Sequence, residues 1–306
     1  MTDHSVGSPL GVVPQPVEVA VPRSTDAVRS ERRGRRAADL GVVFWICAGW
    51  VAINILAAIL AGVLPIDNPN LQTVNINGGP SAAHLLGTDD LGRDILSRLI
   101  YGARVSLVVG FGSIAIGMAI GGTLALIAGF RRGLVDSILN SACYVLLAFP
   151  ALVAIMAVVA FWGQSLGKIT LIIGITSAPV LFRVVRASTL SYSTREFITA
   201  ARTLGASDTR ILTREILPNI LPAAVSFALI GVATVIVLEG ALAFLGLSIQ
   251  PPTPSWGNML NESRTYLSQN LWLALFPALA MFSFLLCLNL VGDRLRQHFD
   301  VGEGKL

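Results

Sequence analysis

The chain has 306 residues, of which 54% are hydrophobic and 13% charged, with a formal net charge of +4. Soluble domains carry about 25% charged residues, so a mean hydropathy of +0.70 excludes an ordinary water-exposed globular fold and points to side chains facing lipid or one another. The basic residues form no single face or stripe, which excludes a nucleic-acid-binding surface.

Residues 1–39 are polar, rich in Pro, Val and Ser, and end in the basic cluster Arg32, Arg33, Arg35 and Arg36. They are expected to be a disordered cytosolic tail. Residues 40–64 are free of charge and, as a helix of about 38 Å, long enough to span a bilayer with some tilt. The run exceeds a signal-peptide core, so it reads as a retained anchor. A polar extracytoplasmic segment follows over 65–104, rich in Asn, Gly and Asp. A five-span core is expected over 105–292, from apolar runs at about 105–130, 134–162, 168–188, 220–247 and 271–291. These make six spans in an all-α polytopic membrane protein. Pro150 is expected to kink the third span. Residues 293–306 form a short C-terminal tail.

Charge sets the expected orientation. Seventeen of the 22 Lys and Arg residues fall on the side of the N-terminus, and five (Arg93, Arg98, Arg104, Lys168 and Arg264) on the other. Both termini are therefore expected inside, together with the loop 189–219.

That loop carries the most informative pattern. Phe197, Ala200, Ala201 and Leu204 share one face of a short helix. Gly205 is placed to end it in a left-handed turn, and Ser207 or Asp208 to cap the next helix, which Ile211, Leu212 and Ile216 continue to Pro218 and Pro222. A small-residue apolar face permits close approach of a protein partner, with Arg195, Glu196, Arg202 and Arg210 as a charged rim. An amphipathic linker lying on the lipid has the same pattern.

The stretch Thr199-Ala200-Ala201 before Gly205 resembles the cytoplasmic loop signature of binding-protein-dependent ABC importer permeases, although Thr199 replaces its Glu and Glu215 replaces an Ile. Both departures fit the dipeptide/oligopeptide and nickel permease branch, specifically its C-type subunits. That branch has phrases similar to Leu86-Gly87-Thr88-Asp89-Asp90-Leu91-Gly92-Arg93-Asp94, Tyr101-Gly102-Ala103-Arg104, Phe244-Leu245-Gly246-Leu247 and Gln250-Pro251-Pro252-Thr253-Pro254-Ser255-Trp256-Gly257. The resemblance runs from about His84 to Arg296. It implies a type I importer permease fold with cytosolic coupling helices, in a bacterial inner or plasma membrane. The ATPase-coupling loop would comprise Glu196, Phe197, Ala200, Ala201, Arg202, Leu204, Gly205, Ala206, Ser207, Asp208 and Ile211. It further implies a sister permease in a heterodimer, one or two ATPase subunits, an extracytoplasmic substrate-binding protein, and surrounding membrane lipid. The expected cargo is a dipeptide or oligopeptide, with nickel or another small solute as the alternative.

No phosphate-binding Gly-rich loop with Lys occurs, so ATP and Mg would be used by the partner chain and no cofactor by this one. Glu239 is the one acidic residue well inside a span, and either lines the pathway or fixes span five by an inter-helix hydrogen bond. An ion-coupled secondary transporter would need more such groups, and a membrane-embedded enzyme a nucleophile–base set that these spans lack. The residues around Asp89, Asp90 and Arg93, leading to Leu96, Leu99 and Ile100, are expected to form a short amphipathic helix on the outer face. It either touches the binding protein or anchors span two. Trp256, in a Pro-rich loop, is read as interfacial and as a further candidate contact for the binding protein. Gly117 and Gly121 read as ordinary helix packing. Cys47, Cys143 and Cys287 read as small hydrophobes. No metal site is expected.

Overall fold

A computed structural model of the chain describes Thr2 and residues 41–303, all helix and connecting loop with a single isolated β-bridge, Thr88 to Asp94. The expected N-terminal tail lies, apart from Thr2, outside the described residues. Among the described residues, five helices are long and apolar enough to cross a membrane, and a sixth crossing is made if one sharply bent pair counts as a span.

The first helix, α1, is Gly41–Leu60; residues 61–64 leave it in a turn. α2 (Ile95–Arg131) is continuous through a π-helical segment at Met118–Gly122. Asp94 caps it by accepting from the Ser97 amide at 2.8 Å, as a short acid at this position satisfies an orphan donor. The expected separate amphipathic helix is therefore absent: residues 95–104 are the first turns of α2 itself. Residues 65–94 are irregular loop, closed on themselves by bonds such as Thr73 N to Gly92 O and Asn77 N to Asp89 O.

The expected third span is broken. α3 (Gly133–Ala148) and α4 (Ala151–Trp162) meet at 82°, because Phe149 is extended ahead of Pro150, as sterics before proline require. Pro150 thus separates two helices and does not merely kink one. α5 is Leu166–Tyr192, α6 Glu196–Thr203, and α7 runs unbroken from Asp208 to Phe244. α8 (Trp256–Ser263) precedes α9 (Trp272–Glu303), whose final turns include residues expected to be a tail.

α2 and α5 pack along much of their length through small residues. A Cβ on Gly117 would meet the Gly174 carbonyl oxygen at 3.0 Å, and one on Gly121 would collide with the Ala178 carbonyl. Without a hydrophobic drive between helices in lipid, such close backbone approach supplies the dispersion that holds them. The main core joins α2, α5, α7, α8 and α9 around Val109, Ile173, Ile236, Trp256 and Phe284. A second core, at the end carrying residues 189–219, unites Phe130, Phe182, Tyr192, Ile198, Ile211 and Ile216.

Candidate functional site

The loop between α5 and α7 is built as its residues dictate. α6 ends in a Schellman arrangement: Gly205 N donates to Arg202 O at 2.9 Å, and Ala206 N to Ala201 O at 3.0 Å. Gly205 has φ +81°, the left-handed region that glycine enters without penalty. Ser207 caps the following helix, accepting from the Arg210 amide at 3.4 Å. Ile198 is 1% exposed and fastens α6 to the second core, whereas Phe197 is 39% and Leu204 87% exposed, with Ala200 also open and Ala201 half-buried. One apolar face of α6 is thus unused by the chain itself.

Two of the rim residues also contact aromatic rings of the chain itself. The Arg202 guanidinium lies 5.1 Å from the Phe130 ring centroid, and that of Arg195 lies 4.3 Å from Tyr192. Both are stacked on the chain's own aromatics; Arg195 is half-buried there, while Arg202 stays exposed. Glu196, Asp208 and Arg210 remain exposed. Ile211 is fully buried and belongs to the second core. Periodicity missed Ile198, because in an eight-residue helix two apolar faces fit almost equally well.

The limb after Gly205 does not stop at Pro218. Asp208 to Phe244 is one helix of 37 residues, about 55 Å long, with a π-helical stretch over Ile211–Ile216. Near its far end sits Glu239, 0% exposed, accepting from Ser248 Oγ at 2.6 Å and Ser255 Oγ at 2.9 Å. Of the two roles open from sequence, the geometry is that of a hydrogen bond fixing structure, here to the loop after span five. A carboxylate enclosed in this way lines no open pathway in this conformation. Ser255 in turn caps α8, accepting from the Asn258 amide at 3.0 Å, and Gly257 approaches Gly240 so closely that a Cβ there would lie 2.8 Å from the Gly240 Cα. Ser248 and Ser255 have no sequence signal as partners of Glu239; Ser255 is recognisable only as a cap before a helix.

The expected contacts at the other end are largely interior. Trp256 is 1% exposed, donates from Nε1 to Leu99 O at 3.1 Å and meets Phe284 edge-on at 5.5 Å between centroids. It is a core residue, and neither an interfacial anchor nor an external contact. Asp89 and Arg93 are buried as well. Arg93 Nε donates to Asp89 Oδ2 at 2.6 Å, and Arg93 and Arg98 both reach Glu262 Oε2, at 3.0 and 2.7 Å. Only Asp90 keeps partial exposure. The carboxylates of Asp89, Asp90 and Glu262 converge and pair with the Arg93 and Arg98 guanidinium groups, giving an ion network that ties the start of α2 to α8. This fits anchoring of span two. Arg98 and Glu262 are too far apart in sequence to have been paired.

Comparison with known proteins adds three findings. Residues 121–302 match the family model described as binding-protein-dependent transport system inner membrane component. The chain is 42% identical over 239 residues to the glutathione transport system permease protein GsiD of Pectobacterium atrosepticum, covering 78% of this chain and 79% of that one. It is 43% identical over 253 residues to GsiD of Escherichia coli O6:K15:H31, covering 82% and 84%. Among solved structures, an inward-facing crystal form of the MetNI methionine ABC transporter superposes with a TM-score of 0.54 at 20% identity. The match covers 66% of this chain and 96% of that chain, a likeness of fold.

Proposed function

The chain belongs to the binding-protein-dependent transport system inner membrane component family, as a multi-pass permease subunit of an ABC importer, and from that premise we propose that its 189–219 loop is where a separate ATPase docks. The observation that carries this is the unburied apolar face of α6 (Phe197, Ala200, Leu204) beside a glycine turn that leads directly into a helix crossing the whole molecule. Ala at the centre of that face permits close approach of a partner helix or groove. The charge distribution supports placing this loop and both termini in the cytosol.

In this reading a sister permease completes a heterodimer, one or two ATPases use ATP and Mg, and an extracytoplasmic binding protein delivers cargo. ATP favours one global state by binding it better, and the loop carries that difference. α7 is the element that transmits it, from the turn at Gly205 to the Glu239 knot. The names of the GsiD relatives support a short-peptide cargo of dipeptide, oligopeptide or glutathione type.

The test is Gly205→Glu. Apart from its chain neighbours, no described residue places an atom within 4 Å of a Cβ at that position, so there is room, and the backbone strain at positive φ is about 1–2 kcal/mol. The expected result is normal membrane insertion with loss of the co-purifying ATPase. Undiminished ATPase binding overturns the docking assignment. For cargo, uptake of labelled dipeptides and glutathione by the intact system is expected, and uptake of nickel alone overturns the peptide assignment.

A further inference from the structure

Beside the α2–α3 turn the chain leaves an open cavity of about 720 Å³, into which Arg131, Arg132 and Arg202 face, with Asp208 as the one carboxylate of the lining. None of the three arginines forms an ion pair among the described residues. Arg132 Nη2 donates to Ser193 Oγ at 3.0 Å and Arg202 is stacked on Phe130, which fixes two guanidinium groups in the cavity wall. The first turn of α3, a 16-residue helix, adds backbone amides that no side chain caps. The nearest acid of that turn, Asp136, is already engaged by Arg186 through two hydrogen bonds, one of 2.6 Å. An excess of positive charge, two guanidinium groups fixed in place, helix amides without a side-chain cap, and space together describe a site for a phosphate group.

Its depth and surroundings indicate where the phosphate comes from. The cavity lies at the ends of α2 and α5, and α5, with 27 residues, spans about 40 Å, headgroup to headgroup of a bilayer. Leu134, on the cavity rim, is 81% exposed and Ile138, one turn further along α3, is 66% exposed. They form an apolar track leading out of a cationic pocket. We propose that the cavity binds the headgroup of an acidic phospholipid, with an acyl chain lying along Leu134 and Ile138. Basic pockets between membrane helices take such headgroups. Because Arg202 belongs to α6 and Arg131 and Arg132 to the α2–α3 turn, the bound lipid would tie the 189–219 loop to the end of span two. The binding itself is independent of whether that loop docks an ATPase.

The full-length chain in its native assembly, reconstituted in nanodiscs of phosphatidylcholine with or without phosphatidylglycerol, tests this by native mass spectrometry of retained lipid. One phosphatidylglycerol per chain is expected to survive delipidation, in preference to phosphatidylcholine. Arg131→Gln together with Arg132→Gln should lower its retention by about tenfold or more, while the double Lys replacement should preserve it. Arg131 makes no side-chain bond described in this fold, so Arg131→Gln alone is the variant safe for folding, with a loss of about fivefold. Equal retention by wild type and the Gln variants, or no preference over phosphatidylcholine, overturns the site. Displacement of the lipid by free glycerol 3-phosphate or inorganic phosphate at equal concentration overturns its assignment to lipid.

Discussion

Glu239 is the residue on which most local order converges. Its Oε1 accepts from two serines of the loop between α7 and α8, so its removal orphans two buried hydroxyls in one step. Glu239→Leu should therefore destabilise the protein by about 2–4 kcal/mol, the scale of leaving buried polar groups unpaired. Glu239→Gln, which keeps an acceptor oxygen, should lose less than half of that. Thermal unfolding of the two variants in detergent checks the order, and a Leu variant as stable as Gln contradicts the assigned role. Trp256 adds packing to the same knot, and Trp256→Ala is expected to cost about 3–5 kcal/mol. Its position beside prolines gave it the look of a membrane-interface residue. Its burial became visible only with Leu99 O and Phe284 placed around it, since no local pattern encodes which loop tryptophan folds inward.

At the scale of single elements, α6 is a short helix held by one side chain. Eight residues are too few to be stable alone in water, so its position depends on Ile198 in the second core. Ile198→Ala should cost about 2–4 kcal/mol locally and release α6. Faster amide hydrogen exchange confined to residues 196–206 is the expected signature. Exchange unchanged there would show that the caps alone hold the helix. The two faces of α6 also explain what was legible. The triplet Thr199-Ala200-Ala201 and Gly205 are marked by composition and by backbone need, and the helix–glycine–helix arrangement is present. Which apolar face is free depends on where α2 and α5 end, and that is tertiary information. The break at Pro150 was underestimated for a related reason. Proline marks a disruption, but an 82° bend requires the surrounding helices to leave room for it.

Across the whole molecule, α7 links the two ends of the fold as one rod from Asp208 to Phe244. If the loop receives the ATPase, this rod must be stiff to pass motion to the Glu239 knot. Inserting two glycines after Leu217 should leave ATPase docking intact, because α6 and Gly205 are untouched, but should abolish stimulation of ATP hydrolysis by loaded binding protein. Full stimulation in that variant would mean the signal travels by another helix. Proteoliposome ATPase assays with and without cargo read the difference.

Class, number of apolar runs and the position of the helix–glycine–helix loop were determined by the sequence alone. Each rests on a quantity that is local along the chain: hydropathy over a span's length, helical period, and glycine at a positive φ. The partners of buried charge were decided only by the tertiary structure, as with Glu239 and the two serines, or Arg93 and Arg98 with Glu262. So was the continuity of α7 through two prolines, and the inward turn of Trp256. A buried polar group must find a partner, yet that requirement says nothing about which of many distant residues supplies it. Only the packing of α2, α7 and α8 against one another makes that choice.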